Sequence, residues 1–202
     1  MTISVGIFVF PDVEVLDFAG PYEVFTTASR VFARIHPEAE LPFSTFTVAA
    51  DGAAVRARAG LSVLPEYDFT SHPPIDLLLV PGGVVSAELE KPAVIEWISQ
   101  AAAKADIVAA VCTGAFLLAR SGLLESKAAT THWEDIAELR RDYPRLTVLE
   151  GKRWVDEGYV ITSGGISAGI DMCLHLVERL AGGDLAERTA HQMEYRWLDS
   201  PG

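Results

Sequence analysis

Two cysteines, five histidines and a set of carboxylates are the groups in this 202-residue chain able to do covalent or proton-transfer chemistry. Cys112 stands out by its position. It follows Ile107 to Val111, an apolar and partly β-branched run that suits a strand buried on both faces. It precedes Ala115 to Arg120, which reads as a helix ended near Gly122. A cysteine on such a strand-to-helix turn aims its sulfur at the first free N–H groups of the helix. Those groups and the helix dipole are expected to hold it as a thiolate, a nucleophile. The competing use of a free cysteine is as a small buried hydrophobe, and the Thr113-Gly114 break argues against that here. Cys173 is the contrast: it lies on the stripe Ile166, Ile170, Cys173, Leu174, Val177 and Leu180, and is expected in the core.

Five further positions could serve that sulfur. Asp17 follows the first predicted strand; it can cap the next helix, exchange a proton with the thiol, or do both. Thr113 offers a backbone N–H and a hydroxyl beside the sulfur. With the N–H groups of Gly82 and Gly83, at the end of another strand, it could stabilise negative charge on an addition intermediate. A tight turn alone would also explain the two glycines. His132, in the run Thr130-Thr131-His132-Trp133, either pairs with the thiolate or is a hydrogen-bonded structural histidine.

Other chemistries fit less well. Gly165-Ile166-Ser167-Ala168-Gly169 matches the serine hydrolase elbow G-x-S-x-G, with Asp184 and His191 downstream. The remaining chain reads as two consecutive helices, leaving no strands to carry an acid and a base. His36, His72 and His191 show no ligand spacing, and neither C-x-x-C nor H-E-x-x-H occurs, so no metal or other cofactor is expected.

Composition bounds the rest. A formal charge of −12 repels phosphate backbones, which argues against a nucleic-acid partner. Two cysteines in a chain of this size point to a reducing, cytoplasmic setting. The N-terminus reads as a strand rather than a signal peptide, and the run Ile107 to Ala119 is too short to span a bilayer. Strands are predicted over residues 3–10, 43–49, 76–80, 107–111, 146–150 and 154–162. Helices are predicted over 17–33, 93–104, 115–120, 133–142, 167–181 and 184–197. This alternation predicts one doubly wound α/β domain over 1–202, in which ligands sit beyond the carboxyl ends of the strands.

Several blocks carry a resemblance: F-P-D-V-E-V-L-D-F-A-G-P-Y-E-V-F, D-L-L-L-V-P-G-G, A-V-C-T-G-A-F-L-L-A-R-S-G-L-L, A-T-T-H-W and V-I-T-S-G-G-I-S-A-G-I-D. In this order they resemble the ThiJ/PfpI superfamily, a class I glutamine amidotransferase-like fold. The likeness is greatest to its isonitrile hydratases and to the sensor domains of AraC-type regulators. The resemblance implies a flavodoxin-like fold with a nucleophile elbow, a homodimer, and a small-molecule substrate with no membrane partner. It implies Cys112 as nucleophile and Asp17 as acid, with Thr113 beside them, adding water to an isonitrile to give a formamide. It also leaves open a glyoxalase- or deglycase-like activity on small aldehydes, and a ligand or redox sensor with an oxidisable cysteine. One departure is Ala110, where the superfamily often has Gly, so any strained backbone is expected at Cys112 itself.

Overall fold

The structure, a computed structural model, describes residues 2–202. In chain order its elements are β1 (Ile3–Phe8), α1 (Val15–Ile35), β2 (Phe43–Ala49), β3 (Val55–Arg56), β4 (Ser62–Val63), β5 (Tyr67–Asp68) and β6 (Leu77–Val80). There follow α2 (Ser86–Leu89), α3 (Pro92–Ala102), β7 (Ile107–Val111), α4 (Gly114–Arg120), β8 (Ala128–Ala129), α5 (Ile136–Asp142) and β9 (Thr147–Val148). The chain continues through β10 (Trp154–Asp156), β11 (Val160–Ser163), α6 (Ala168–Ala181) and α7 (Gly183–Gln192).

Seven strands form the central sheet in the order β10-β11-β7-β6-β1-β2-β5. Every neighbouring pair is parallel except β10 with β11. The middle strands Leu77–Val80 and Ile107–Val111 are buried at every residue, as strands covered on both faces must be. Parallel neighbours need crossover connections, and helices supply them. Helices α1, α6 and α7 pack on one another, while α4 packs against α2 and α3. The result is the flavodoxin-like α/β architecture. Strand order reverses direction at β1, whose neighbours are β2 on one side and β6 on the other. The crevice beyond that reversal is where such sheets place ligands. Asp17 follows β1, Gly82 follows β6 and Cys112 follows β7, so all three reach it.

Several predicted elements shift. Helix α1 starts at Val15 with Glu14 at the cap position, so Asp17 lies inside the first turn and does not cap. The segment predicted as one strand over 154–162 is a hairpin: Gly158 has φ +81° and donates to Asp156 Oδ1 at 2.7 Å, turning the chain back on itself. Strand β9 keeps only two of the five residues predicted over 146–150. Trp133–Asp135 is a 3₁₀ turn before α5 rather than α-helix. Helix α7 ends at Gln192, because Glu194 takes φ +49° and the remaining residues leave the helix axis to reach α6.

Candidate active site

Cys112 is the first residue after β7, and its φ is +57°, a left-handed value that costs a non-glycine residue about 1–3 kcal/mol. Neighbouring groups pin it there. Its N–H donates to the carbonyls of Ser163 and Gly164 at 3.2 and 3.3 Å. Its own carbonyl accepts from Thr131 Oγ1 at 2.9 Å. Ala110 stays inside the strand, in register with Val80 and Thr162, so the strain sits on the cysteine. Cys112 is 7% exposed.

The Asp17 carboxyl is fully buried on the first turn of α1. Oδ2 accepts from the Gly82 N–H at 3.1 Å. Oδ1 is buried with no donor in full hydrogen-bonding geometry. No cation compensates the group among the described residues. Burial therefore pushes its pKa from 3.8 up to about 7; the Cys112 thiol and the Gly82 N–H oppose the shift, Glu14 adds to it, and the Ile166 backbone opposes it.

Cys112 does not behave as its place before a helix suggests. Burial pushes the thiol up to about 12, and the Asp17 charge adds to this. The Thr113 N–H and hydroxyl pull the other way and are outweighed. A seven-residue helix offers little dipole, and the facing group is an acid rather than a base with a positive charge. Burial beside an acid thus favours the protonated sulfur, against the thiolate expected from the helix start. The two groups interact directly, so the ionisation of each depends on the state of the other. Cys173 is fully buried in α6, and burial raises its thiol further.

The glycine pair is committed to building the site. The Gly82 N–H holds Asp17, and the Gly83 N–H donates to Thr113 Oγ1 at 2.9 Å. Neither is left to face an anionic intermediate, the role expected from sequence. Any larger residue at 82 is excluded, because a Cβ there would lie 2.6 Å from Thr113 N and 2.8 Å from Cys112 Cβ. Thr113 Oγ1 also lies 2.9 Å from the Gly83 carbonyl, to which it donates.

His132 makes its ion pairs within its own segment. Its Nδ1 faces Asp135 Oδ2 at 3.5 Å and Glu134 Oε2 at 3.7 Å. The ring lies over Gly165, where a Cβ would come within 2.1 Å of His132 Cδ2. No hydrogen bond or ion pair joins it to Cys112 among the described residues. Its neighbour Thr131 is the residue that reaches the cysteine.

Sequence reasoning missed Ile166. It sits between β11 and α6 with φ +55°, and its backbone helps hold Asp17. A β-branched residue is disfavoured in that region, so nothing in the sequence marks it. Ser167, the serine of the G-x-S-x-G match, has φ −68° and is not on a strained elbow. Among the described residues no group of three or more His, Cys, Asp or Glu side chains could hold a metal ion. Among them, too, no helix is long and apolar enough to cross a membrane.

Comparison with known proteins agrees with this fold. A model of the DJ-1/PfpI family matches residues 3–179. The chain is 36% identical to the isonitrile hydratase of Pseudomonas putida over 197 residues, covering 96% of this chain and 79% of that protein. It is 30% identical to the HTH-type transcriptional regulator CdhR of Pseudomonas aeruginosa over 182 residues, 90% of this chain, and spans about half of the regulator's length (52%). The crystal structure of a ThiJ/PfpI family protein from Pseudomonas syringae superposes with a TM-score of 0.84 at 25% identity, over all of this chain and 78% of that one.

Proposed function

The chain belongs to the DJ-1/PfpI family, and we propose that it is a cysteine-dependent hydratase acting on a small electrophilic carbon, an isonitrile. The observation that carries this reading is the pairing of Cys112 with a buried carboxyl whose second oxygen is uncommitted. An acid with a pKa of about 7 can both take and return a proton at neutral pH, as general acid–base catalysis requires. The likeness to the Pseudomonas putida isonitrile hydratase supports the choice of substrate.

Cys112 Sγ attacks the terminal isonitrile carbon, forming a C–S bond as the thiol proton passes by way of Asp17 to that same carbon. The product is a thioimidate, R–N=CH–S–Cys112. Water then adds to its carbon, assisted by the Asp17 carboxylate. The C–S bond breaks, the thiol regains its proton, and R–NH–CHO leaves. One water is consumed and no redox step occurs. A neutral resting thiol suits this sequence, because the proton on sulfur is the one the isonitrile carbon needs. An isonitrile is linear and ends in an unhindered carbon, a shape suited to reaching a buried cysteine. Thr113 supports the sulfur, Gly82 orients the acid, and His132 packs the wall.

The test is formation of N-phenylformamide from phenyl isonitrile, with methylglyoxal as a parallel substrate. Wild type should form the formamide and Cys112→Ala should not. Equal product from the two proteins would overturn the reading, and lactate from methylglyoxal alone would replace it with aldehyde chemistry.

A further inference from the structure

Nine large hydrophobic side chains are exposed among the described residues, and four of them lie within two residues in sequence of a group that builds the candidate site. Leu16 (38% exposed) precedes Asp17 on α1. Its Cδ1 lies 3.8 Å from where a Gly20 Cβ would be, and Ile170 of α6 lies 3.0 Å from the same point. Leu16 therefore stands where α1 meets α6. Ile166 (40%) lies one turn before Ile170, and its backbone touches Asp17. Val84 (46%) follows the glycine pair that holds Asp17 and Thr113, and its N–H donates to the Asp12 carbonyl in the turn after β1. Trp133 (74%) follows His132, whose ring covers Gly165; the two rings are 5.7 Å apart.

These residues come from four separate segments, and each is tied within two residues to a group contacting Asp17, Cys112 or the Gly165-Ile166 turn. Scattered exposed leucines need no explanation, but an apolar rim around a buried nucleophile is a substrate surface. On the Trp133 side the flanking charges are the acids Glu134 and Asp135, which disfavour an anionic substituent; on the Leu16 side Glu14 is paired with Arg58 at 3.1 Å.

We infer that Leu16, Val84, Trp133 and Ile166 form a specificity rim that selects an uncharged, apolar and preferably aromatic substituent on the carbon-donating substrate, with Trp133 as its stacking partner. In its isonitrile form this rests on the proposed hydratase reading. The rim itself is a claim about access to Cys112 and can be tested without it.

Two measurements separate the two claims. The first is the rate of Cys112 alkylation by N-phenylmaleimide relative to a carboxyalkyl maleimide, normalised to each reagent's rate with free thiol. Wild type should favour the phenyl reagent, and Trp133→Ala should lower that preference about fivefold, the scale of an aromatic contact. The second is the ratio of kcat/KM for phenyl over methyl isonitrile, which should fall by a similar factor in Trp133→Ala, through KM. If wild type hydrates neither isonitrile but keeps the phenyl preference, the hydratase reading fails and the rim stands. If both ratios are unchanged in Trp133→Ala, the rim is overturned. It is also overturned if sedimentation shows a wild-type dimer that Trp133→Ala dissociates, because a second copy would then cover this face.

Discussion

Asp17 and Asp171 begin as equivalent residues. Each lies in the first turn of a long helix, each side chain is fully buried, and their helices α1 and α6 pack together. Asp171 is compensated: Arg153 Nε donates to its Oδ2 at 2.5 Å, the Arg153 Nη2 joins the same oxygen, and the Leu198 N–H reaches Oδ1 at 3.0 Å. Asp17 has one backbone hydrogen bond in full geometry, from Gly82, a second oxygen with none, the Ile166 backbone and a thiol nearby, and no cation. A buried carboxylate with its charge and lone pairs satisfied is a clamp, here tying the C-terminal segment to α6. The same group left unsatisfied carries a displaced proton affinity, which is what chemistry uses. Burial is common to both; compensation separates structure from reactivity.

Exchanging each for asparagine should split the two roles. Asp17→Asn removes the proton carrier and should lower formamide turnover by about 10²–10⁴-fold while the protein stays folded. Asp171→Asn strands the Arg153 guanidinium and should cost roughly 3–5 kcal/mol in urea unfolding, with turnover per folded molecule close to wild type. If Asp171→Asn instead abolished turnover in fully folded protein, the division drawn here would be wrong.

A smaller effect tests the same contrast through pH. A carboxyl that ionises at 3.8 when exposed and at about 7 when folded binds the extra proton in the native state between those values. Stability contributed by Asp17 therefore falls as pH rises from about 4 to about 7, and the penalty is complete above that. Asp17→Asn should flatten this slope, so its gain in Tm over wild type is larger at pH 8 than at pH 4.5. A constant difference across that range would show that burial does not raise this carboxyl.

The sequence carries much of this site and little of its ionisation. Cys112, Gly82 and Asp17 each follow a predicted strand, and parallel α/β topology brings such ends together, so their convergence can be read without coordinates. The protonation of Cys112 cannot, because desolvation depends on walls that distant segments contribute, and it outweighs the local helix start. Ile166 is invisible for another reason: its left-handed backbone opposes its own propensity and is imposed by the packing around it. The C-terminal residues after Gln192 read as a continuing helix because their partners, Asp171 and Arg153, are long-range ones. Alternation and strand ends are local signals; compensation of charge is not.

The smallest predicted effect concerns Thr113, whose hydroxyl has one proton and two places to put it. In the resting site Oγ1 accepts the Gly83 N–H and donates to the Gly83 carbonyl, both at 2.9 Å, while lying close enough to the sulfur to favour its anion. When Sγ gains charge the same proton can turn to it, leaving a carbonyl that is only partly buried. Thr113→Val keeps the shape and removes both options, at a cost of about 1 kcal/mol for the lost hydrogen bond. Turnover should fall about fivefold, and the pH profile of Cys112 alkylation should move to higher pH, because the sulfur anion loses a donor. Thr113→Ser, which keeps the hydroxyl, should restore both rate and profile. A profile that stays in place in Thr113→Val would reduce Thr113 to a spacer between the cysteine turn and the glycine pair, leaving Asp17 as the one side chain that governs the sulfur's proton.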